Sequence, residues 1–447
     1  MKKLMMTVCC SLFLAIILVA CGEETSQDDV SEVEVDDNEN VEEDVNTGEG
    51  DEDVTLRISW WGSQDRHDST LEVISMYEEE NPHVTIEPEF IGWDGYWERL
   101  STQAAGNNLP DIIQLDEGGY LIQYVERDLI ADIMPFIEDG TIDVKDVAES
   151  AYLNGPEEAR VMGLGGNALG IIIDPALFEA AGVDVPEIGY TWDEFEDILT
   201  TISDELGIYG TGEIESVNVF PYYLRQHGQT MFNEDTTEFA FDDELFVDFF
   251  EMKLRLQEAG AMSPPEVNIQ HSALEDLLLV HEKAAMAWKW SANLGVLESA
   301  ANRDLELLFY PGPNPEQGMY EKRSMMFGIA ETSENQEEAA KFINYFINDL
   351  EVNQVLMMER GVSPNSVILE ELEPEFSSSL QKTVDYLELV QENSSPSDLY
   401  PVGIPEVNDL LLDVEERILY QAITAEEGVQ LFKEEGERIL NRINNND

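Results

Sequence analysis

Three short segments carry residue types that could hold a ligand. Residues 58–67 read ISWWGSQDRH, so two tryptophans close an apolar run and Gln64, Asp65 and Arg66 follow at once. Residues 92–97 read GWDGYW, which puts Trp93, Tyr96 and Trp97 within about one and a half turns of a helix. Residues 284–290 read AAMAWKW, with Trp288 and Trp290 two apart. Flat rings offer apolar area, and a few polar groups beside them fix orientation. Arg66 adds a planar fork of N–H donors that suits paired hydroxyls or a carboxylate. This chemistry matches a pyranose, whose ring has an apolar C–H face and a hydroxyl rim, and it requires no covalent step.

Signals for covalent chemistry are weak. The chain has no G-x-S-x-G elbow and no H-E-x-x-H pair, and its five histidines show no metal-ligand clustering, so no cofactor and no metal is expected. Among 95 Asp and Glu residues some pair will reach catalytic separation by chance, so carboxylates alone do not argue for hydrolysis. A secreted polysaccharide-degrading hydrolase or lyase is the alternative to a non-enzymatic binding protein.

The elements that must position these residues alternate between strand and helix, the pattern of an α/β protein. Strands are expected at Val54–Trp61, 84–90, 111–115 and 169–174, and helices at 68–80, Trp93–Ala105, 119–127 and from Pro175. Asp68 or Ser69 would cap the first helix. Thr191 with Glu194, and Ser333 with Gln336, read as capping boxes. Behind the second, Ala339, Phe342, Ile343, Phe346 and Ile347 share a helical face. The two-residue period of a strand turns Trp60 and Trp61 to opposite faces, so Trp61, beside the polar turn, is expected at the ligand. The same period puts Met286, Trp288 and Trp290 together and Lys289 opposite. His67 is expected to serve the turn or cap the helix.

At the N-terminus, Lys2 and Lys3 precede an apolar segment that ends in Leu18-Val19-Ala20-Cys21-Gly22. This resembles the lipobox of bacterial lipoproteins, which implies a signal peptide over 1–20 and lipidation at Cys21. All three cysteines lie within the first 21 residues, so the body can hold no disulfide. Residues 22–53 carry 16 acids and no Lys or Arg, the composition of a disordered tether. From Val54 onward, 79 acids face 21 Lys and Arg, which repels phosphate backbones and excludes nucleic acid as a partner. Such a surface suits high salt or high external pH.

Taken in order, several segments resemble the maltose-binding class of extracellular solute-binding proteins, family 1. ISWWGSQDRHDSTLEVISMYEEENPHVTIEPEF is similar to that family's first strand, ligand loop, helix and second strand. GWDGYWERLSTQAAGNNLPDIIQLD is similar to its long helix and "PDI" strand, and LGIIIDPALFEAAGVDVPEIGYTWDEF to its entry into the second lobe. EKAAMAWKWSANL, SMMFGIAETSENQEEAAKFINYFI and GVSPNS resemble its cleft strand, its return strand and helix, and its late turn. The pattern departs at His281-Glu282-Lys283, where a Gly-Lys pair is common.

The resemblance implies a two-lobed type II periplasmic-binding fold, with a mixed sheet flanked by helices in each lobe and the ligand cleft between them. Residues 54–165 plus 305–360 would form lobe 1, and 166–304 plus 361–447 lobe 2, behind the signal at 1–20 and the tether at 21–53. It places Gln64, Asp65 and Arg66 as hydroxyl binders, Trp61 and Trp93 in the cleft, and Asp116 at the end of its strand. It also puts Trp288 in the site with Trp290 as buried support, makes Tyr222 a stacking residue, and adds Tyr310 and Arg323. The implied protein is a monomer anchored in the cell membrane through Cys21 and facing outside. It would carry an oligosaccharide, of pectic type by the WWGSQDRH and GWDGYW pattern, to the permease subunits of an ABC importer.

Overall fold

The structure is a computed structural model that describes residues 53–444 apart from 118, 154–157, 234, 398–399 and 402. The expected signal segment, Cys21 and nearly all of the acidic tether lie outside the described residues. No helix among the described residues is long and apolar enough to cross a membrane.

Among the described residues, ten strands build two sheets. In chain order they are β1 (Val54–Trp61), β2 (Val84–Ile91), β3 (Ile112–Leu115), β4 (Met162–Gly163), β5 (Gly166–Ile173), β6 (Tyr209–Thr211), β7 (Ala284–Trp290), β8 (Glu306–Leu308), β9 (Glu321–Arg323) and β10 (Met326–Ile329). The first sheet runs β2-β1-β3-β10-β4; β2 and β3 lie parallel to β1, and β10 is antiparallel to β3 and β4. The second runs β6-β7-β5-β8, with β9 also paired to β5. Only β6 and β7 are parallel there. Helices flank both sheets, as expected of a two-lobed α/β protein.

The alternation in β1 divides the first lobe's core. Leu56, Ile58 and Trp60 pack with Phe342, Ile343 and Phe346 on one face. Trp61 packs with Tyr96, Trp97 and Leu100 on the other. The larger core of the second lobe gathers Phe195, Phe220, Phe246, Phe249, Phe250 and Trp288 around β5 and β7.

Helix starts follow local hydrogen bonding, with two corrections. The first helix is Gln64–Glu80, capped by Ser63, whose hydroxyl accepts from the Arg66 backbone N–H. It therefore begins ahead of Asp68 and Ser69, and Gln64, Asp65 and Arg66 form its first turn rather than a loop. Thr191 and Glu194 make both bonds of the expected capping box on helix Trp192–Leu206. Ser333 does not make its box. Its hydroxyl donates to Asp111 at 2.5 Å, and helix Gln336–Asn348 starts behind Asn335.

The division of the chain between lobes also differs from expectation. Residues 306–323 were expected in lobe 1, yet β8 and β9 pair with β5 of the second sheet, so the chain returns to the first sheet only with β10. In the other direction, Asn365 and Ser366 bond to Asn348 and Asp146 of the first lobe, beyond the expected boundary at 361. Short-range pattern reading cannot see this, because strand pairing is a long-range property.

Between the sheets, three segments lie side by side. Leu164 N–H donates to Met325 O at 2.8 Å, Ser324 N–H to Gly165 O at 2.8 Å, and Gly166 and Val362 exchange bonds of 2.7 and 3.1 Å. Gly361 adopts φ +111°, and a Cβ on Gly165 would meet the 360–361 backbone at 2.6–2.7 Å. Glycine is required there by close approach.

Candidate functional site

The parallel strands β1 and β3 deliver their C-terminal ends to one place, the position where open α/β sheets expose ligand groups. Trp61, at the end of β1, meets Trp93, Tyr96 and Trp97 at ring distances of 5.1–5.4 Å. Helix Trp93–Ala105 is fastened to the sheet by the Tyr96 hydroxyl, 2.8 Å from Gln114 O. On helix Gly119–Val125, Tyr120 stacks on Trp97 at 3.7 Å and 4°. Trp93 crowns the group with 43% of its surface exposed, while Trp61 retains 6%. Burial, with the Asp116 and Asp409 carboxylates nearby, raises the pKa of the Tyr120 phenol. It stays a neutral hydroxyl.

Facing groups come from the second sheet. Lys322 on β9 sits 4.3 Å above the Trp290 ring and 3.5 Å from Asp116 Oδ1 at the end of β3. Its neighbour Arg323 pairs with Glu117 at 2.8 Å. Arg323 Nη1 is buried and meets no hydrogen-bond acceptor among the described residues. Lys289, on the opposite face of β7, pairs with Glu215. An exposed indole thus stands on helix Trp93–Ala105 and a part-buried indole on β7, while Lys322 and Arg323 of the second sheet pair with Asp116 and Glu117 after β3.

Several expected site residues are elsewhere. Trp288 is 1% exposed, covered by Trp192, Phe195 and Tyr310, so it is core. Its partner Trp290, expected as the buried support, is only part-buried and carries the Lys322 ammonium over its ring. The alternation placed them on one face correctly; helix Trp192–Leu206 covers only the Trp288 end. Tyr222 is fully buried, its hydroxyl 3.1 Å from the carbonyls of Tyr310 and Pro311 and accepting from Gln226 Nε2. Tyr310 is buried against it. Neither can stack on a ligand.

Arg66 is engaged too. Its Nε bonds both Glu359 oxygens at 2.6 and 2.8 Å, and Nη1 donates to Trp61 O at 3.1 Å. It braces the end of β1 instead of gripping hydroxyls. Gln64 and Asp65 are exposed, with Gln64 donating to Asp68 at 2.8 Å. His67 is buried, and its Nδ1 accepts from Trp60 Nε1 at 3.1 Å. Burial first, then the Arg66 and Arg360 cations, lower its pKa. Of the expected residues, Trp93 lies over Trp61, which is buried rather than open to a ligand, and Asp116 meets the segment of Arg323 and the Lys322 that covers Trp290.

Sequence reasoning missed Tyr120, Lys322 and the Glu359–Arg360 pair. Arg360 is 3% exposed and donates to Gln114 at 2.9 Å and Thr70 at 2.8 Å, stiffening the floor beneath Trp61. Only Tyr120 carried a local hint, lying four residues after Asp116. The histidines also differ from expectation, since His271 and His281 converge on Asp276.

Two mixed sheets flanked by helices define a two-lobed α/β fold. Residues 63–349 match the family described as bacterial extracellular solute-binding protein, and the chain belongs to that family. Solved structures agree on the fold. A periplasmic solute-binding protein from Pectobacterium atrosepticum superposes with TM-score 0.78 at 22% identity, covering 87% of this chain and 99% of that one. A periplasmic oligogalacturonide-binding protein from Yersinia enterocolitica, in complex with saturated digalacturonic acid, has TM-score 0.74 at 22% identity over 87% and 99%. An ABC substrate-binding protein from Listeria monocytogenes, in complex with cycloalternan, has TM-score 0.74 at 19% identity over 87% and 98%.

Proposed function

We propose that the chain captures an oligosaccharide between its lobes and presents it to an ABC importer, without chemistry of its own. One observation carries the reading: Trp93, exposed at the start of the helix that follows β2, and Trp290, part-buried on β7, belong to different lobes, and Lys322 of the second sheet pairs with Asp116 of the first. Such a pair can cover both sides of a sugar ring, while carboxylates and ammonium groups bond its hydroxyls. The adjoining segments at 164–166, 323–326 and 361–362 suit a hinge about which the lobes close.

The ligand class is an acidic, pectin-type oligosaccharide. Lys322 and the unpaired Nη1 of Arg323 are cations in a protein with few, and a guanidinium edge matches a uronate carboxylate. The family and the oligogalacturonide-binding neighbour support this reading. In the same proposal Cys21 carries the lipid, 22–53 holds the body off the membrane, and the protein acts as a monomer. The alternative of a polysaccharide-degrading enzyme gains no specific observation.

Calorimetric titration with oligogalacturonides, xylo-oligosaccharides and malto-oligosaccharides tests the proposal. Binding of the uronate series in the micromolar range, lost in Trp93→Ala and Trp290→Ala, is expected. Tight binding of neutral sugars alone would remove the uronate assignment but keep the saccharide site. Absence of any saccharide binding below millimolar concentration, or reducing-end release from pectin, would overturn the whole reading.

A further inference from the structure

The segment between helix Pro265–Asn268 and β7 holds a side-chain cluster that ligand capture does not use. His271 Nδ1 lies 3.1 Å from Asp276 Oδ2 and 3.1 Å from the Asp276 backbone oxygen, and His281 Nε2 lies 2.5 Å from Asp276 Oδ1. One ligand atom from each residue falls within 4.8 Å of the others. Two of the chain's five histidines therefore meet one carboxylate, at spacings of five residues on either side. His281 begins the turn at which the sequence departs from its family pattern, and Glu282 there adopts φ 54°, the backbone a glycine would take without strain.

We propose that His271, Asp276 and His281 form a binding site for a borderline-soft divalent metal ion, with zinc the preferred ion. Two neutral imidazoles and a carboxylate are a donor set of zinc and its first-row neighbours, whereas calcium and magnesium take oxygen ligands. Zinc–nitrogen bonds of about 2.0–2.1 Å set tetrahedral ligand separations of about 3.4 Å. The two nitrogen–carboxylate separations, 3.1 and 2.5 Å, are somewhat shorter than that value, and small movements of partly exposed side chains admit the ion. Water completes the coordination; His271 also borders a hollow of about 90 Å³ beside Asn268, Ser272 and Leu278.

Binding displaces the protons that the imidazoles share with Asp276. His271 then coordinates through Nδ1 and carries its proton on Nε2, which now lies 3.3 Å from Lys283 Nζ. Lys283 must turn away, and its positive charge opposes the metal. The site's role is to pin the chain that leads into β7.

The test is equilibrium dialysis of the full chain with Zn²⁺ in excess Ca²⁺, which saturates the many carboxylates. Uptake of one Zn²⁺ per chain is expected. His271→Ala and His281→Gln should each weaken it by more than about tenfold, the least that losing a supporting partner costs a metal site, and Lys283→Gln should tighten it. In the unaltered protein, Zn²⁺ should shield His271 and His281 from diethylpyrocarbonate while leaving His83 reactive, a readout that does not depend on any variant folding. No uptake above the Ca²⁺ background, uptake untouched by both histidine substitutions, or unshielded histidines would each overturn the site. None of these outcomes depends on which sugar the protein binds.

Discussion

At the scale of single residues, two tryptophans that look alike in the sequence should behave oppositely. Trp93 is open to solvent, so Trp93→Ala should leave stability within about 0.5 kcal/mol of the parent and weaken saccharide binding by about 2 kcal/mol, read by paired melting and titration. Trp288 is core, so Trp288→Ala should cost about 3–5 kcal/mol of stability. The reverse ranking in a urea titration would place the binding face on the wrong indole. His67 supplies a pH signature. Its folded pKa is depressed, so its contribution is present above the unfolded value of about 6.5. It is lost as pH falls through the lower folded value, because protonated Nδ1 cannot accept from Trp60. The parent should lose urea resistance between pH 7.5 and 5.5 by more than His67→Phe does; equal slopes would contradict the assignment.

At the scale of elements, helix Asp243–Glu258 is locked to helix Ile404–Leu419 by a buried ion pair. Lys253 is fully buried and donates to Ile214 O and Ser216 Oγ at 2.6 Å, and to Glu415. Lys253→Ala strands the Glu415 carboxylate and should cost about 3–5 kcal/mol. The double change Lys253→Met, Glu415→Leu removes both charges and should recover most of that loss in chemical denaturation. A double variant no better than the single one would mean that Glu415 is not the source of the cost. The element scale is also where sequence reading succeeded most. Apolar runs located β1, β2 and β3, and the Thr191–Glu194 box located a helix start, because each depends on neighbours within four residues. It missed where Ser333 would bond, since Asp111 lies 222 positions away.

For the whole molecule, a formal net charge of −72 dominates. Like charges repel across the folded surface, and salt shortens their reach from about 10 Å at 0.1 M to about 3 Å at 1 M. The melting temperature should therefore rise by several degrees between those concentrations of NaCl in scanning calorimetry. A flat or falling profile would show that self-repulsion does not limit this fold. The lobes come together where 164–166, 323–326 and 361–362 touch, and Gly361 at φ +111° sets that contact. The first stretch lies 157 residues before the second and the second 35 before the third, and no local pattern announces them.

The order of strands and helices, the division of Trp60 from Trp61, the acidic charge and the aromatic supply for a binding site were all readable from residue types at short spacing. Those properties depend on side-chain period, on capping and on summed charge. The folded chain alone determined that Trp290 stays part-exposed while Trp288 is covered, that Arg66 serves Glu359, that β8 and β9 join the second sheet, and that Asp116 meets Lys322. Each of these depends on which distant surface arrives to cover or neutralise a group. Burial and ion pairing are set by three-dimensional neighbours, and a side-chain period says nothing about those.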